Sequence, residues 1–344
     1  MKKIALIVDA DDWAFANIAN SIKKNIKKYE FKIIPLSYLN NNMVRGIIYA
    51  SDCDLIHFFW REDLLLYKEE KFQWYLRVLG IPSLQYFEDE YLNSKIVSTC
   101  VYDHLFLEDD FQKTQAIFNN YSNYYVCSNI LNDIYKDLDI INKPKCVITD
   151  GVNLDEFYPK NEVRFKNIKD RTLKIGWVGN SAWKDEIEDF KGANTILKPA
   201  IKDLQEEGYK IAEYFADRQV RMIPHDKMVD YYSNIDVLVC TSKCEGTPNP
   251  VLEAMACGVP VISTRVGIVP DVLGKKQSKY ILKERSKECL KETIKEFINN
   301  YDSIDEIRKE NIKQIQNWSW VKICKKFEKY FDECFKASDK NEKK

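Results

Sequence analysis

Short apolar runs alternate with longer helical patterns along the chain, and this order constrains the fold more than any other feature. Parallel strands of one sheet need a crossover between them, usually a helix, so the alternation is typical of parallel α/β proteins. From residue 286 onward the pattern is wholly helical. The predicted strands are 4–8, 32–36, 55–59, 96–102, 124–128, 146–149, 173–178, 210–216, 237–240, 261–264 and 280–282.

The alternation stops within 150–171, a stretch that contains Gly151, Pro159 and many charged residues. A chain of 344 residues also exceeds the roughly 300 residues that one core usually organises. We therefore predict two domains, 1–155 and 156–317, and a frayed, lysine-rich tail at 337–344.

The composition excludes several classes of protein. Apolar residues make up 45% of the chain, which is too many for a disordered protein. The 52 basic and 53 acidic residues leave a net charge of -1, so we expect no nucleic-acid partner. Ten cysteines without a CxxC pair indicate free thiols in a reducing compartment. Three histidines argue against a multi-histidine metal site, and of these we expect His57 in the core and His225 as a helix cap.

The sequence also bears on localisation. The first apolar run is too short for a signal peptide, and no apolar stretch approaches the ~18 residues of a membrane span, so we expect a cytoplasmic protein. Lys23, Lys24, Lys27 and Lys28 form a basic cluster on the first predicted helix. The cluster is either a solvated face or a surface for peripheral contact with an anionic membrane, at the inner face of the cytoplasmic membrane.

The segment 244–271 contains the residues that most strongly indicate chemistry. Asn249 is a good N-cap and Pro250 a good first helical residue, so a helix should begin here. The backbone amides of Val251 and Leu252 would then be free. Free amides at a helix start form a site for phosphate.

Two glutamates flank this helix start. Glu245 lies in the preceding loop, and Glu253 lies in the first turn. Carboxylates bind vicinal hydroxyls, so the pattern suits a nucleotide sugar with its phosphates at the helix start. In the alternative interpretation, Glu253 only complements the helix dipole and Glu245 is a solvated loop acid.

The run EGTPNPVLEAMACGVPVI, at 245–262, resembles the donor-binding signature of the retaining GT-B glycosyltransferases of family 4. The resemblance implies an α/β fold of the GT-B type, with two Rossmann-like domains whose parallel sheets face a central cleft. It also implies a C-terminal helix, 318–336, that packs back on the N-terminal domain. Five further segments resemble other parts of the family and occur in the same order along the chain. They are 125–135, 150–159, 174–192, 223–242 and 318–331.

For the second domain, the resemblance implies roles for individual residues. Glu253 would hold the ribose, and the catalytic residues would be Glu245, in contact with the transferred sugar, and Lys191, which neutralises the diphosphate. A bare surface lysine is the alternative for Lys191. The family usually carries arginine at position 180, so either Lys184 substitutes for it or Lys191 bears more of the charge. The predicted donor-binding residues are Gly179, Asn180, Lys184, Gly246, Thr247, Pro248, Asn249, Val251, Leu252 and Glu253.

In the first domain the resemblance is weaker. The loop after the first strand carries Asp11, Asp12 and Trp13 where the family often has a glycine-rich turn, and we predict that it binds the acceptor. The family tends to place a histidine and an aspartate after the fourth strand, where this chain has Asp103 and His104. The resemblance therefore implies that Asp103 and His104 are catalytic residues and that one or the other faces the cleft. A histidine that is simply hydrogen-bonded at a strand end is the alternative for His104.

These residues together predict transfer of a sugar from a nucleotide-diphosphate sugar to an acceptor hydroxyl, and the family resemblance implies retention of configuration. The expected setting is the synthesis of bacterial surface polysaccharide, lipooligosaccharide or glycan. The expected partners are the nucleotide-sugar donor and a glycan or lipid-linked acceptor, without a cofactor or metal. The alternatives are a nucleotide-sugar epimerase, a catalytically silent nucleotide-sugar binder, and a magnesium enzyme that uses Asp9, Asp11 and Asp12.

Overall fold

A computed structural model describes residues 1–11, 13–63, 70–104, 115–118, 121, 123–140 and 142–341. The chain divides into two compact units, Met1–Thr149 with Trp320–Lys344, and Asp150–Ser319. The division lies earlier than the predicted 155, because Val152 belongs to the core of the second unit. Val152 also pairs with Ser319, which joins the two ends of that unit.

The first unit is built on a parallel sheet in which β1 is an interior strand, paired with β2 and β3. Ile4 to Val8 are buried, as expected for a parallel strand that is covered on both faces. The strands are β1 (Lys3–Val8), β2 (Glu30–Pro35), β3 (Leu55–Phe58), β4 (Ile96–Val101) and β5 (Asn123–Val126), in the order β2-β1-β3-β4-β5. The helices are α1 (Ala14–Asn25), α2 (Met43–Tyr49), α3 (Glu70–Val78), α4 (Leu84–Tyr91) and α5 (Asn129–Asp137).

The second unit has a parallel sheet of related topology. Its strands are β6 (Leu173–Gly179), β7 (Ile211–Asp217), β8 (Val237–Cys240) and β9 (Val261–Ser263), in the order β7-β6-β8-β9. Its helices are α6 (Lys198–Glu206), α7 (Met228–Tyr232), α8 (Asn249–Ala256), α9 (Val269–Val272), α10 (Lys287–Asn299) and α11 (Ile304–Ile315). The strand order reverses between β1 and β3 in the first sheet and between β6 and β8 in the second. Open parallel sheets bind ligands at such switch points, beyond the carboxyl ends of the strands.

The last helix, α12 (Trp320–Asn341), belongs to the first unit, as the resemblance implies. It packs against α1 and β4. The Lys28 ammonium lies 2.6 Å from Asp332 Oδ1, and the Tyr29 hydroxyl donates to the same carboxylate. The helix continues beyond 336, so the predicted tail is helical as far as Asn341, and 342–344 lie outside the described residues.

Two predicted strands, 146–149 and 280–282, are wrong. Each segment forms a single bridge to its neighbour, Val126 to Val147 and Ser263 to Ile281, and Ser278–Tyr280 is a 3-10 turn. A short apolar run identifies a buried segment, but it does not distinguish a strand from buried irregular chain.

The predicted basic face of the first helix is also wrong in part. Helix α1 ends at Asn25 because Ile26 is extended, so only Lys23 and Lys24 of the four lysines are helical. Lys28 forms an ion pair with Asp332. The four ammonium groups therefore do not share one helix face.

Candidate active site

Lys191 and Glu245 meet at the switch point of the second sheet. Lys191 lies in the segment after β6, and Glu245 lies in the loop after β8. Lys191 Nζ is 2.5 Å from Glu245 Oε1, and Ser242 Oγ donates to the same oxygen at 2.7 Å. Only 21% of the lysine side chain and 18% of the glutamate side chain are exposed. The structure thus brings together the two predicted catalytic residues of this unit, and it adds Ser242, which the sequence analysis missed.

The charge of Lys191 depends on this pairing. Burial disfavours the ammonium form, but the adjacent Glu245 carboxylate outweighs burial and raises the pKa of Lys191. Lys191 is therefore cationic at neutral pH. The alternative of a bare surface lysine is wrong.

The backbone around Lys191 is fixed by its neighbours. Thr241 Oγ1 donates to the Lys191 carbonyl at 2.8 Å, and Arg285 donates to the Thr241 and Asp189 carbonyls at 2.9 and 2.6 Å. Gly192 has φ +67°, and a Cβ there would lie 2.5 Å from the Thr241 carbonyl oxygen. A glycine is thus required for this close approach, which holds Lys191 at the end of β8.

Trp183 is a further contact of Lys191 that the sequence analysis missed. Its ring centroid lies 5.1 Å from Lys191 Nζ and 5.0 Å from Lys184 Nζ. Ammonium groups at this distance are attracted to the face of an indole. The side-chain oxygen of Asn180, which follows Gly179 at the end of β6, accepts from Gln219 Nε2 at 2.7 Å. Lys184 therefore shares an aromatic ring with Lys191, whereas Asn180 bonds to another residue.

Helix α8 begins at Asn249, one position before the predicted first residue, and Pro248 occupies the N-cap position without a side-chain cap. The Val251 amide donates to the Pro248 carbonyl at 2.8 Å, so the prediction that it is free is wrong. The early start of the helix supplies that carbonyl as an acceptor. Binding of phosphate by the Leu252 amide stays a prediction.

The loop before α8 is held by two backbone contacts. The Gly246 carbonyl accepts from the Ile268 amide at 3.1 Å, and Thr247 Oγ1 accepts from the Asp150 amide at 3.3 Å. A Cβ at Gly267 would clash with the Gly246 carbonyl, so Gly267 is needed for this approach. The loop that carries Glu245 is therefore fixed at the two residues that follow this glutamate.

Glu253, on α8, is largely buried, with 14% of its side chain exposed, and is bonded through one oxygen. The Tyr232 hydroxyl donates to Glu253 Oε2 at 2.7 Å. His225 Nε2 lies 3.9 Å from Glu253 Oε1, and His225 Nδ1 lies 3.9 Å from Glu156 Oε2, so this histidine faces two carboxylates. Burial raises the pKa of Glu253, while the Tyr232 hydrogen bond and His225 oppose the rise.

Asp103 and His104 follow β4 in the first unit. Arg61 binds Asp103 twice, with Nη2 2.9 Å from Oδ1 and Nη1 3.0 Å from the backbone oxygen, and the Tyr135 hydroxyl donates to that oxygen at 3.1 Å. Burial lowers the pKa of His104, Asp103 opposes this and Arg61 adds to it. Arg61 was not among the predicted site residues; its signal in the sequence is a guanidinium shortly after a buried strand, β3.

The loop after β1 is described only in part. The Tyr38 hydroxyl donates to Asp11 Oδ2 at 2.6 Å, and Trp13, which is 51% exposed, precedes α1. Asp12 lies outside the described residues. In the part of the chain that the structure describes, no three histidine, cysteine or acidic side chains form a group that could hold a metal. None of the described helices is long and apolar enough to span a membrane.

Residues 190–317, which contain Lys191, Glu245 and Glu253, match the model of the family described as glycosyl transferases group 1. The matched segment lies wholly within the second unit. The chain is 26% identical over 189 residues, 53% of its length, to an uncharacterized glycosyltransferase of Methanocaldococcus jannaschii, and covers 48% of that relative. It is 27% identical over 163 residues, 43% of its length, to the N,N'-diacetylbacillosaminyl-diphospho-undecaprenol alpha-1,3-N-acetylgalactosaminyltransferase of Campylobacter jejuni, and covers 41% of it. The chain thus spans less than half of either relative.

The solved structure of Anabaena HepE in complex with UDP and glucose has a similar fold. The TM-score is 0.67 at 13% identity, over 97% of this chain and 100% of that one. This likeness confirms the predicted GT-B fold with its two parallel-sheet α/β domains. Together with the family match, it supports a group 1 glycosyltransferase.

Proposed function

We propose that this protein transfers a sugar from a nucleotide-diphosphate sugar to an acceptor hydroxyl, with retention of configuration. The proposed setting is the synthesis of a bacterial surface polysaccharide, lipooligosaccharide or other glycan. The observation that carries the proposal is the largely buried pair of Lys191 and Glu245, at a switch point within the segment that matches the group 1 family. The name of the Campylobacter relative, which specifies a diphospho-undecaprenol substrate, favours a glycan or lipid-linked acceptor.

The positive groups act on the leaving diphosphate. As the glycosidic bond breaks, negative charge grows on the phosphate oxygens, and a cation that is already oriented stabilises that charge better than water does. Lys191 is oriented by Trp183 and by Glu245, whose Oε1 also accepts from Ser242, and Lys184 reaches the same indole. The start of α8 adds the positive end of its dipole. In the proposed mechanism the leaving phosphate accepts the proton of the acceptor hydroxyl, which accounts for retention without a carboxylate nucleophile.

The two glutamates bind hydroxyl groups of the donor. Glu245 uses Oε1 for Lys191 and Ser242, and no described residue is hydrogen-bonded to Oε2, so Oε2 is placed to accept from the transferred sugar. Glu253 uses Oε2 for Tyr232, so Oε1 is placed to accept from the ribose hydroxyls. Each carboxylate is thus held by one oxygen and binds the donor with the other.

Replacing Glu253 with glutamine should raise the Kd for UDP at least tenfold, as measured by isothermal titration calorimetry. Hydrogen bonds to a charged group contribute about 1.5–3 kcal/mol, and about 1.4 kcal/mol corresponds to a factor of ten. Glu156→Gln is the matched control, because Glu156 faces the other nitrogen of His225 and its side chain is 55% exposed. If Glu253→Gln binds UDP as the unaltered protein does, Glu253 does not hold the ribose.

The function is tested by the release of UDP from UDP-sugars, with and without added glycan or lipid-linked acceptors, followed by the anomeric assignment of the product by NMR. We expect activity that EDTA does not reduce, because Lys191 and the start of α8 supply the positive charge at the diphosphate. Loss of activity with EDTA would show that a metal is required. If the protein cleaves no nucleotide sugar of any common base, the proposed transferase activity is refuted.

We also propose a cytoplasmic location with peripheral contact between the first unit and anionic membrane. Lys23 and Lys24, in the last turn of α1, are the remaining helical lysines of the predicted cluster. Each lysine near an anionic surface contributes about 1 kcal/mol. Sedimentation with anionic liposomes that is unchanged in a Lys23→Ala, Lys24→Ala variant would exclude this contact.

A further inference from the structure

Asp63 is a buried acid for which the described residues provide neither a cation nor a hydrogen-bond donor to its carboxyl group. Its exposed fraction is 8%. Aspartate is rarely buried without a partner, because an ionised carboxylate loses its hydration there. An uncompensated buried acid near a ligand-binding edge is a candidate functional group. The cost of burying Asp63 therefore calls for a role beyond packing.

The surroundings of Asp63 favour its neutral form. Burial raises the pKa of Asp63 well above its ordinary value, and the nearby Glu62 and Asp9 carboxylates raise it further. A protonated carboxyl group both donates and accepts hydrogen bonds. Such a group is suited to a hydroxyl, which also donates and accepts.

Trp60 begins the turn in which Asp63 lies. The Asp63 amide donates to the Trp60 carbonyl at 3.1 Å, and this backbone hydrogen bond closes the turn and holds the two residues close together. Trp60 is 44% exposed, and Phe15 packs 5.9 Å from its ring. Phe15 itself packs on Phe59 and Tyr102 at 5.4 and 5.3 Å. Trp60 therefore has an aromatic support on one side and a surface open to solvent.

The turn occupies the switch point of the first sheet. It follows β3, directly beside β1, where the strand order reverses and where open parallel sheets bind ligands. Arg61, the second residue of the turn, is bonded to the side chain and the backbone of Asp103 after β4. The turn is thus anchored to the neighbouring strand end before any ligand binds, which reduces the entropy lost on binding.

We propose that Trp60 and Asp63 form a sugar subsite in the first unit. The Trp60 indole stacks against the apolar face of a sugar ring, and the Asp63 carboxyl group binds hydroxyls at the edge of that ring. Arg61 is a positioning residue that fixes the turn through Asp103. The inference rests on the proposed function in one respect, because it takes the bound sugar to be the acceptor.

The subsite is tested by saturation-transfer NMR on the whole protein with the methyl glycosides of glucose, galactose and N-acetylglucosamine. At least one glycoside should bind, and Trp60→Ala and Asp63→Leu should each weaken its binding at least tenfold, because leucine neither donates nor accepts a hydrogen bond. Trp74→Ala is the matched control, since Trp74 is 53% exposed on α3 of the same unit, and it should leave binding unchanged. The proposal is overturned if no glycoside binds the unaltered protein, or if both variants bind as it does.

Thermal unfolding separates a binding role from a structural one. Asp63→Leu removes an acid that is buried without compensation, so the thermal midpoint should rise while sugar binding weakens at least tenfold. A lower midpoint together with lost binding would indicate a structural residue and overturn the proposal.

Enzyme assays separate this subsite from the proposed function. If both variants still transfer sugar with an unchanged acceptor KM, the proposed subsite is rejected and the proposed transferase activity stands. If the protein cleaves no nucleotide sugar but binds a glycoside through Trp60 and Asp63, the proposed transferase activity is rejected and the subsite stands.

Discussion

Lys191→Met should lower kcat for sugar transfer by about 10²–10³, the range seen when one preoriented group is removed from a developing anion. The ammonium lies 2.5 Å from Glu245 Oε1 and 5.1 Å from the Trp183 ring, so it needs little reorganisation when charge develops on the leaving diphosphate. The same substitution leaves Glu245 without its cation. Thermal midpoints measured alongside the rates distinguish a loss of chemistry from a loss of fold.

A double variant sharpens this prediction. The double variant Lys191→Met, Glu245→Gln removes the carboxylate that Lys191→Met leaves without a cation. It should therefore be more stable to heat than Lys191→Met, but its transfer rate should stay low. Recovery of the rate would contradict the role of Lys191 in neutralising the diphosphate.

Two other lysines provide comparisons. Lys279 lies 4.8 Å from the ring of Tyr280 in the same unit, so Lys279→Met removes a similar cation–π contact and should leave kcat unchanged. Lys184→Met decides the alternative that the sequence left open. A loss comparable to that of Lys191→Met shows that both ammonium groups act on the diphosphate, and an unchanged rate assigns the charge to Lys191 alone.

The sequence predicted the features that depend on local order. Buried parallel strands are continuous apolar runs, so β1, β3, β4, β6 and β8 could be predicted from their composition. The spacing of Glu245 and Glu253 around a helix start was likewise readable, with an error of one residue at Asn249 because Pro248 takes the N-cap position.

The contacts between distant segments could not be predicted in the same way. Lys191 and Glu245 are 54 residues apart, and only the resemblance to a family suggested a shared site. Ser242 and Trp183 join that site through loop conformations that no periodic pattern encodes. Arg61 and Asp63 follow a strand as ordinary charged residues do, and their roles depend on burial and on Asp103, which lies on another strand end.

His57 was predicted to be a core residue, and its buried environment should make the stability of the protein depend strongly on pH. It is fully buried in β3, with Nδ1 2.8 Å from Ser98 Oγ, and no described residue is hydrogen-bonded to Nε2. Its ring packs against Phe59 and Tyr125 at 4.8 and 5.7 Å, and α12 covers it with Phe331 at 6.1 Å. Burial lowers the pKa of His57 to about 3, so the ring is neutral in the folded protein.

The neutral ring makes the first unit sensitive to acid. Below the unfolded pKa of about 6.5, the unfolded chain binds a proton that folded His57 does not, so stability is full above that pH and falls as the pH drops toward 3. The loss is about 2 kcal/mol in free energy of unfolding at pH 5. His57→Gln cannot be protonated, so its thermal midpoint should fall less than that of the unaltered protein between pH 7 and pH 5. If the thermal midpoints of the two proteins fall in parallel with pH, His57 is protonated in the folded protein. The side chains of α12 that cover the ring would then have to accommodate a charged imidazolium.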